Sequence, residues 1–174
     1  MDDPASPFPL EPSPENVRMA REFVLQCWRA RAAELGREEP HDLSSSCMFS
    51  SLFAQAVFGG EIRGNYEHQF VALSDGRILD LNESADDVRF LRERSLTQPH
   101  GWHRPNPRIF WHQVWISDPH DHDPAWFGCP DHLESMRSCQ PRVQHWLALF
   151  AQKLLADAAP DRSLEETTPA GFGR

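Results

Sequence analysis

Cys47, His68 and Asp80 are three residues whose types and order suit nucleophilic catalysis. A thiol attacks carbonyl carbon as its thiolate, which forms most readily where unpaired N–H groups and the positive end of a helix dipole stabilise the anion. Cys47 precedes an apolar stripe of Leu52, Phe53, Ala56 and Val57 that closes at Gly59-Gly60, so it is expected at the first turn of a helix. Ser44, Ser45 and Ser46 stand before it as capping candidates. Such a nucleophile needs a base within hydrogen-bond reach and a third group to orient that base. His68 is the expected base and Asp80 the expected orienter.

Whether they meet is a question of strand parity. Gln69-Phe70-Val71-Ala72-Leu73 and Ile78-Leu79-Asp80-Leu81 read as a β-hairpin around Ser74-Asp75-Gly76. A two-residue turn would put His68 and Asp80 on opposite faces, because side chains alternate along a strand. A three-residue loop with Gly76 in the left-handed conformation instead pairs Leu73 with Arg77, Phe70 with Asp80 and His68 with Asn82. Asp80 then becomes the diagonal neighbour of His68, and Asn82, directly opposite, is the reserve orienter.

Ser46-Cys47, the helix that follows, Phe58-Gly59-Gly60-Glu61-Ile62-Arg63-Gly64, His68, Asp75-Gly76 and Asp80-Leu81-Asn82 together resemble the YunG-like family of small bacterial proteins. The same run resembles, more distantly, the papain-like and transglutaminase-like core, where a helix-starting Cys is followed by a strand His and a next-strand Asp. The likeness covers roughly residues 44–85. It implies Cys47 as nucleophile, His68 as base, Asp80 as orienter and the backbone N–H of Cys47 as one oxyanion donor. Ser45-Ser46 stand where the family has Gly-Gln, and Gln69-Phe70 where it has an aromatic pair, so a side-chain oxyanion donor is left open between Ser45 and His41.

The elements that must position these residues are those of one α+β domain. At 174 residues the chain has room for a single core. Residues 1–12 are Pro-rich and read as a loose arm outside the core, 13–157 as the domain, and 158–174 as a disordered tail. Ser13-Pro14-Glu15 and Gly36 bracket a first helix near 14–35, whose stripe of Val17, Ala20, Phe23, Val24 and Cys27 makes Cys27 a packing residue. A short helix is expected over 84–94, a strand over 109–116, loop over 117–131, and a last helix opening at Pro141. The expected core is therefore helices packed on a small antiparallel sheet.

A net charge of −9, with Lys153 the one lysine, argues against a nucleic-acid partner, and no apolar run is long enough to span a bilayer. The acidic, Pro-rich start lacks the pattern of a secretory signal, and four cysteines without a C-x-x-C pair suit a reducing compartment, so a cytoplasmic location is expected. Trp102, Trp111 and Trp115 are candidates for lining a binding cleft. His100, His103, His112, His120, His122 and His132, with nearby aspartates, invite a metal reading, but His120-Asp121-His122-Asp123 alternates with prolines in expected loop, and no metal or other cofactor is assigned. The functional expectation is a cysteine hydrolase or acyl-transfer enzyme acting on an amide or ester of a protein or small molecule. The alternative is an inactive binding module that uses the Trp- and His-rich second half.

Overall fold

The computed structural model describes residues 7–97 and 122–158. Within them the fold is α+β: α1 (Pro14–Glu34), α2 (Cys47–Phe58), β1 (Glu61–Gly64), β2 (Gln69–Ala72), β3 (Ile78–Leu79), α3 (Asp86–Thr97), α4 (Pro124–Phe127) and α5 (Pro130–Ala158). The strands form one antiparallel sheet in the order β1-β2-β3. Among the described residues no helix is long and apolar enough to cross a membrane. The strand expected over 109–116 lies outside the described residues.

α1 starts where Ser13 Oγ accepts the Asn16 N–H at 3.2 Å, with Pro14 as its first residue. It ends where Gly36 takes φ 63°, a conformation that costs glycine little. α2 packs both on α5 and on the β1–β2 face, and so joins the helical layer to the sheet. Phe23 of α1, Phe53 of α2 and Phe150 of α5 meet with ring centroids 4.9–5.8 Å apart. Phe53 and Phe150 are fully buried, and each such side chain contributes about 1.5–3 kcal/mol relative to exposure. Trp28, Phe49 and Trp146 make a second stack on the same three helices.

Three expectations need correction. The last helix opens at Pro130, not Pro141, and α4 also occupies part of the stretch read as loop. Pro141 lies inside α5, where it forgoes one backbone hydrogen bond; buried Cys139 and Val143 on either side hold the helix through it. Residues 7–12 do not stay clear of the core: Phe8 and Leu10 pack on it, the Leu10 N–H bonds the Val57 carbonyl at 2.7 Å, and Phe8 stacks on Phe150. The short helix after the hairpin is shifted to 86–97.

The hairpin register follows the three-residue loop. Val71 pairs with Leu79 and Ala72 with Ile78, while the Leu73 N–H bonds the Arg77 carbonyl at 2.9 Å across a loop in which Gly76 takes φ 85°. His68 and Asp80 thus fall on one face.

Candidate active site

α2 begins at Cys47, as its position before the apolar stripe predicts, and the thiol is half-buried. The turn before it is tied to the start of α3. Asp42 accepts the N–H groups of Ser44 and Asp86 at 2.8 and 2.7 Å, and Asp87 accepts that of Ser45 at 2.6 Å. Burial of Asp42 would raise its pKa, but the hydrogen bonds from Ser44 and Asp86, with His41 nearby, hold it below the usual carboxylate value. Ser45 is held at φ 63°, a conformation a non-glycine residue adopts only when its surroundings dictate it. His41 Nε2 and Asp86 Oδ2 are 2.9 Å apart, and the His41 side chain is well exposed.

A tight connection between β1 and β2 delivers His68. The Asn65 N–H bonds the His68 carbonyl at 2.9 Å, and the Asn65 side-chain oxygen accepts the N–H groups of Glu67 and His68. Gly64, at φ 131°, sits so close that a Cβ there would collide with the His68 carbonyl. Asn65 and Gly64 thus fix where the imidazole emerges.

His68 Nε2 and Asp80 Oδ2 are 2.8 Å apart, with only 2% and 3% of the two side chains exposed. Cys47 lies close enough to the ring to act on its pKa, and with Nε2 paired to Asp80 the nitrogen left for the thiol is Nδ1. Burial by itself would lower the pKa of the ring. The hydrogen bonds and negative charge of Asp80, and then of Cys47, outweigh it and raise the pKa from 6.5 to about 10. An imidazolium held between a carboxylate and a sulfur is therefore the favoured form at neutral pH.

The three sequence candidates come together. Asn82 does not reach the imidazole: its Nδ2 donates to the Leu43 carbonyl at 2.6 Å and to Ser46 Oγ at 3.0 Å. The role of reserve orienter is thus not the one its contacts support. Ser46 occupies the N-cap of α2 without capping it: its backbone, at ψ 3°, is not the extended one from which a serine caps, and its hydroxyl turns inward to the Leu43 carbonyl at 2.6 Å and to Ser50 Oγ at 2.9 Å. Nothing in the residue types of Ser44-Ser45-Ser46 signals that inward turn, in which Asn82, 36 residues away in sequence, is a third partner of the hydroxyl.

Cys27 and Cys139 are placed as packing residues, and Cys129 is half-buried. Burial pushes the Cys27 thiol up to about 11 and raises that of Cys139, whose sulfur lies 3.5 Å from Met48 Sδ. Trp102, Trp111 and Trp115 lie outside the described residues, as do His100, His103, His112 and His120. Asp123 caps α4 through the N–H groups of Ala125 and Trp126. His132 is buried between Trp126 and Phe127, at 5.2 and 4.8 Å between ring centroids, and neither of its nitrogens has a hydrogen-bond partner. Among the described residues the one group that brings three metal-ligating side chains together is His41, Asp42 and Asp86, which already serve as the ion pair and caps described above.

No protein-family model, curated protein or solved structure matches the chain. The functional reading therefore rests on the geometry.

Proposed function

We propose that this chain is a cysteine hydrolase or acyl-transfer enzyme with a papain-like or transglutaminase-like core, acting on an amide or ester through Cys47, His68 and Asp80. The observation that supports the reading is a buried imidazole paired with a carboxylate, with a thiol at the first residue of a helix close enough to act on the pKa of the same ring. Few structural needs place those groups in that order, whereas nucleophilic catalysis requires it.

In this reading the Cys47 sulfur attacks the carbonyl carbon and the carbonyl π-electrons move onto oxygen. The oxyanion takes the N–H groups of the first turn of α2, which have no side-chain cap. His68 gives its Nδ1 proton to the leaving amine or alkoxide as the carbon–heteroatom bond breaks, and a thioester remains. Water or an amine, deprotonated by the same nitrogen, then attacks the thioester carbonyl; as the carbon–sulfur bond breaks the acyl group is released and the thiolate–imidazolium pair is restored. Asp80 keeps the ring oriented and its positive charge compensated throughout.

Acylation by p-nitrophenyl acetate tests this, with the adduct located by peptide mass spectrometry. The acetyl group is expected on Cys47 in preference to Cys129, and its formation should slow at least tenfold in His68→Ala. Equal labelling of Cys47 and Cys129 would overturn the proposal. A second reading, a binding module without catalysis, is favoured by the unpartnered nitrogens of Trp126 and His132, which a ligand would satisfy.

A further inference from the structure

The C-terminal end of α1 and the stretch that follows it enclose a groove of about 180 Å³. Trp28, Arg31 and Leu35 form the α1 side, and Arg37, Pro40 and Ser44 the other. The two sides are fixed to each other. Arg29 Nε donates to the Pro40 carbonyl at 3.0 Å, and the Arg37 N–H bonds the Ala32 carbonyl at 2.9 Å. Leu35 is 48% exposed although apolar, and Trp28 is half-buried, so the groove presents carbon to solvent.

Two cations of that lining lack an acid. Glu34 and Glu39, which flank them in sequence, are engaged by Arg142 at 2.8 Å and by Arg29 at 3.3 Å. Among the described residues no carboxylate pairs with Arg31 or Arg37, and Arg31 lies over the Phe49 ring at 4.9 Å from its centroid. Glu38 also lines the groove, which leaves the lining with a positive excess in a chain of net charge −9. The groove reaches the turn into the nucleophile. Ser44 lines it, and three residues of chain put Cys47 no more than about 10 Å beyond. Burial raises the pKa of the Cys139 thiol, which Arg31 lowers and Cys47 raises further, so both lie around that one sulfur.

We propose that this groove is the substrate subsite beside Cys47, and that it takes a chain that is apolar along its length and ends in a carboxylate held by Arg31 and Arg37. The proposal rests on the reading of Cys47 as nucleophile and narrows it: the amide or ester carries an acidic group in place of a neutral or basic one. The stem packs on Trp28 and Leu35, and a guanidinium fork matches the two oxygens of a carboxylate. A volume of about 180 Å³ falls below the about 300–1,000 Å³ of pockets that hold a whole small ligand, so the groove takes one arm of a larger substrate.

The test compares labelling of Cys47 by maleimidohexanoic acid and by N-hexylmaleimide, two reagents alike except for the terminal carboxylate. Peptide mass spectrometry reads the rates in the full chain as wild type, Arg31→Gln, Arg37→Gln and the double variant. The acid-to-hexyl rate ratio at Cys47, divided by that at Cys129, cancels changes in the reactivity of the thiol itself. It should be about threefold or more higher in wild type than in the double variant, with the single variants between, and the difference should shrink in about 1 M salt. Arg37→Glu, at an exposed position, should lower the ratio further and carries the test if Arg31→Gln does not fold.

A ratio that is the same in wild type, the double variant and Arg37→Glu would overturn the proposal and leave the nucleophile reading standing. A wild-type Cys47 that iodoacetamide modifies no faster than Cys129 would instead overturn the nucleophile reading, and the groove as a substrate subsite with it.

Discussion

Replacing Asp80 by asparagine removes the charge of the buried pair and leaves one accepting oxygen where two accept, from His68 Nε2 and from the Asn82 N–H. The wild-type ring has its pKa raised from 6.5 to about 10 despite burial that acts in the opposite sense. A group whose folded-state pKa is raised adds stability that is fully present below its unfolded pKa and is lost as pH climbs through the folded value. Removing one partner of a buried pair costs about 3–5 kcal/mol. Cys47 supplies part of what holds the proton and is retained in the variant, so the lower end of that range applies. Asp80→Asn should therefore lose about 3 kcal/mol of stability near pH 6, narrowing to about 1 kcal/mol as pH approaches 10. Urea unfolding of both proteins across this interval measures the difference, and groups that titrate alike in the two cancel from it. A loss that is independent of pH, or that grows toward alkaline pH, would refute the assignment of a charged His68–Asp80 pair.

Gly64→Ala places a Cβ against the His68 carbonyl at a φ of 131°, so it should destabilise the fold by about 2 kcal/mol or more and slow alkylation of Cys47 by displacing the imidazole; thermal unfolding and mass spectrometry read the two effects. His132→Phe removes two buried nitrogens without partners from an aromatic setting, and should raise unfolding stability by about 1–3 kcal/mol at neutral pH, as urea titration would show. The gain should grow as pH falls below the ordinary histidine value, because burial lowers the pKa of His132, and a depressed histidine loses stability on acidification.

Much of the frame was legible because local chemistry and tertiary packing agree. Ser13-Pro14 and Gly36 bound α1 on both readings, and the single left-handed glycine of the hairpin, Gly76, decides the parity that brings His68 and Asp80 to one face. β1 was not legible: it has four residues, ends in glycine, and its pairing with β2 is a tertiary event without a turn signal of its own. The start of α5 was hidden by a second proline. Pro141 matches the first-position preference as well as Pro130 does, and only the burial of His132 and Cys139 distinguishes an interior proline from an opening one. Phe8 and Leu10 were discounted because prolines surround them, yet two large side chains suffice to dock an arm that has no secondary structure.

Within the site, residue types and spacing identify the three members but not how the turn into α2 is held. Ser46 sits where a cap is expected, and its hydroxyl is claimed by Leu43, Ser50 and Asn82 instead. The last of these contacts joins segments far apart in the chain, which periodicity cannot register. Likewise, that Asp80 and not Asn82 meets the imidazole is decided by the turn after β3, where the Asn82 N–H bonds Asp80 Oδ1 and the Asn82 side chain is directed toward Leu43.

The measurement closest to the central claim is the pH–rate profile of iodoacetamide alkylation at each cysteine, from about pH 5 to about pH 9, in wild type and His68→Ala. The account predicts that Cys47 reacts well below the ordinary cysteine pKa of about 8.5, far ahead of Cys129, and that this lead collapses without His68. A Cys47 whose profile matches that of Cys129 and does not respond to His68→Ala would contradict it.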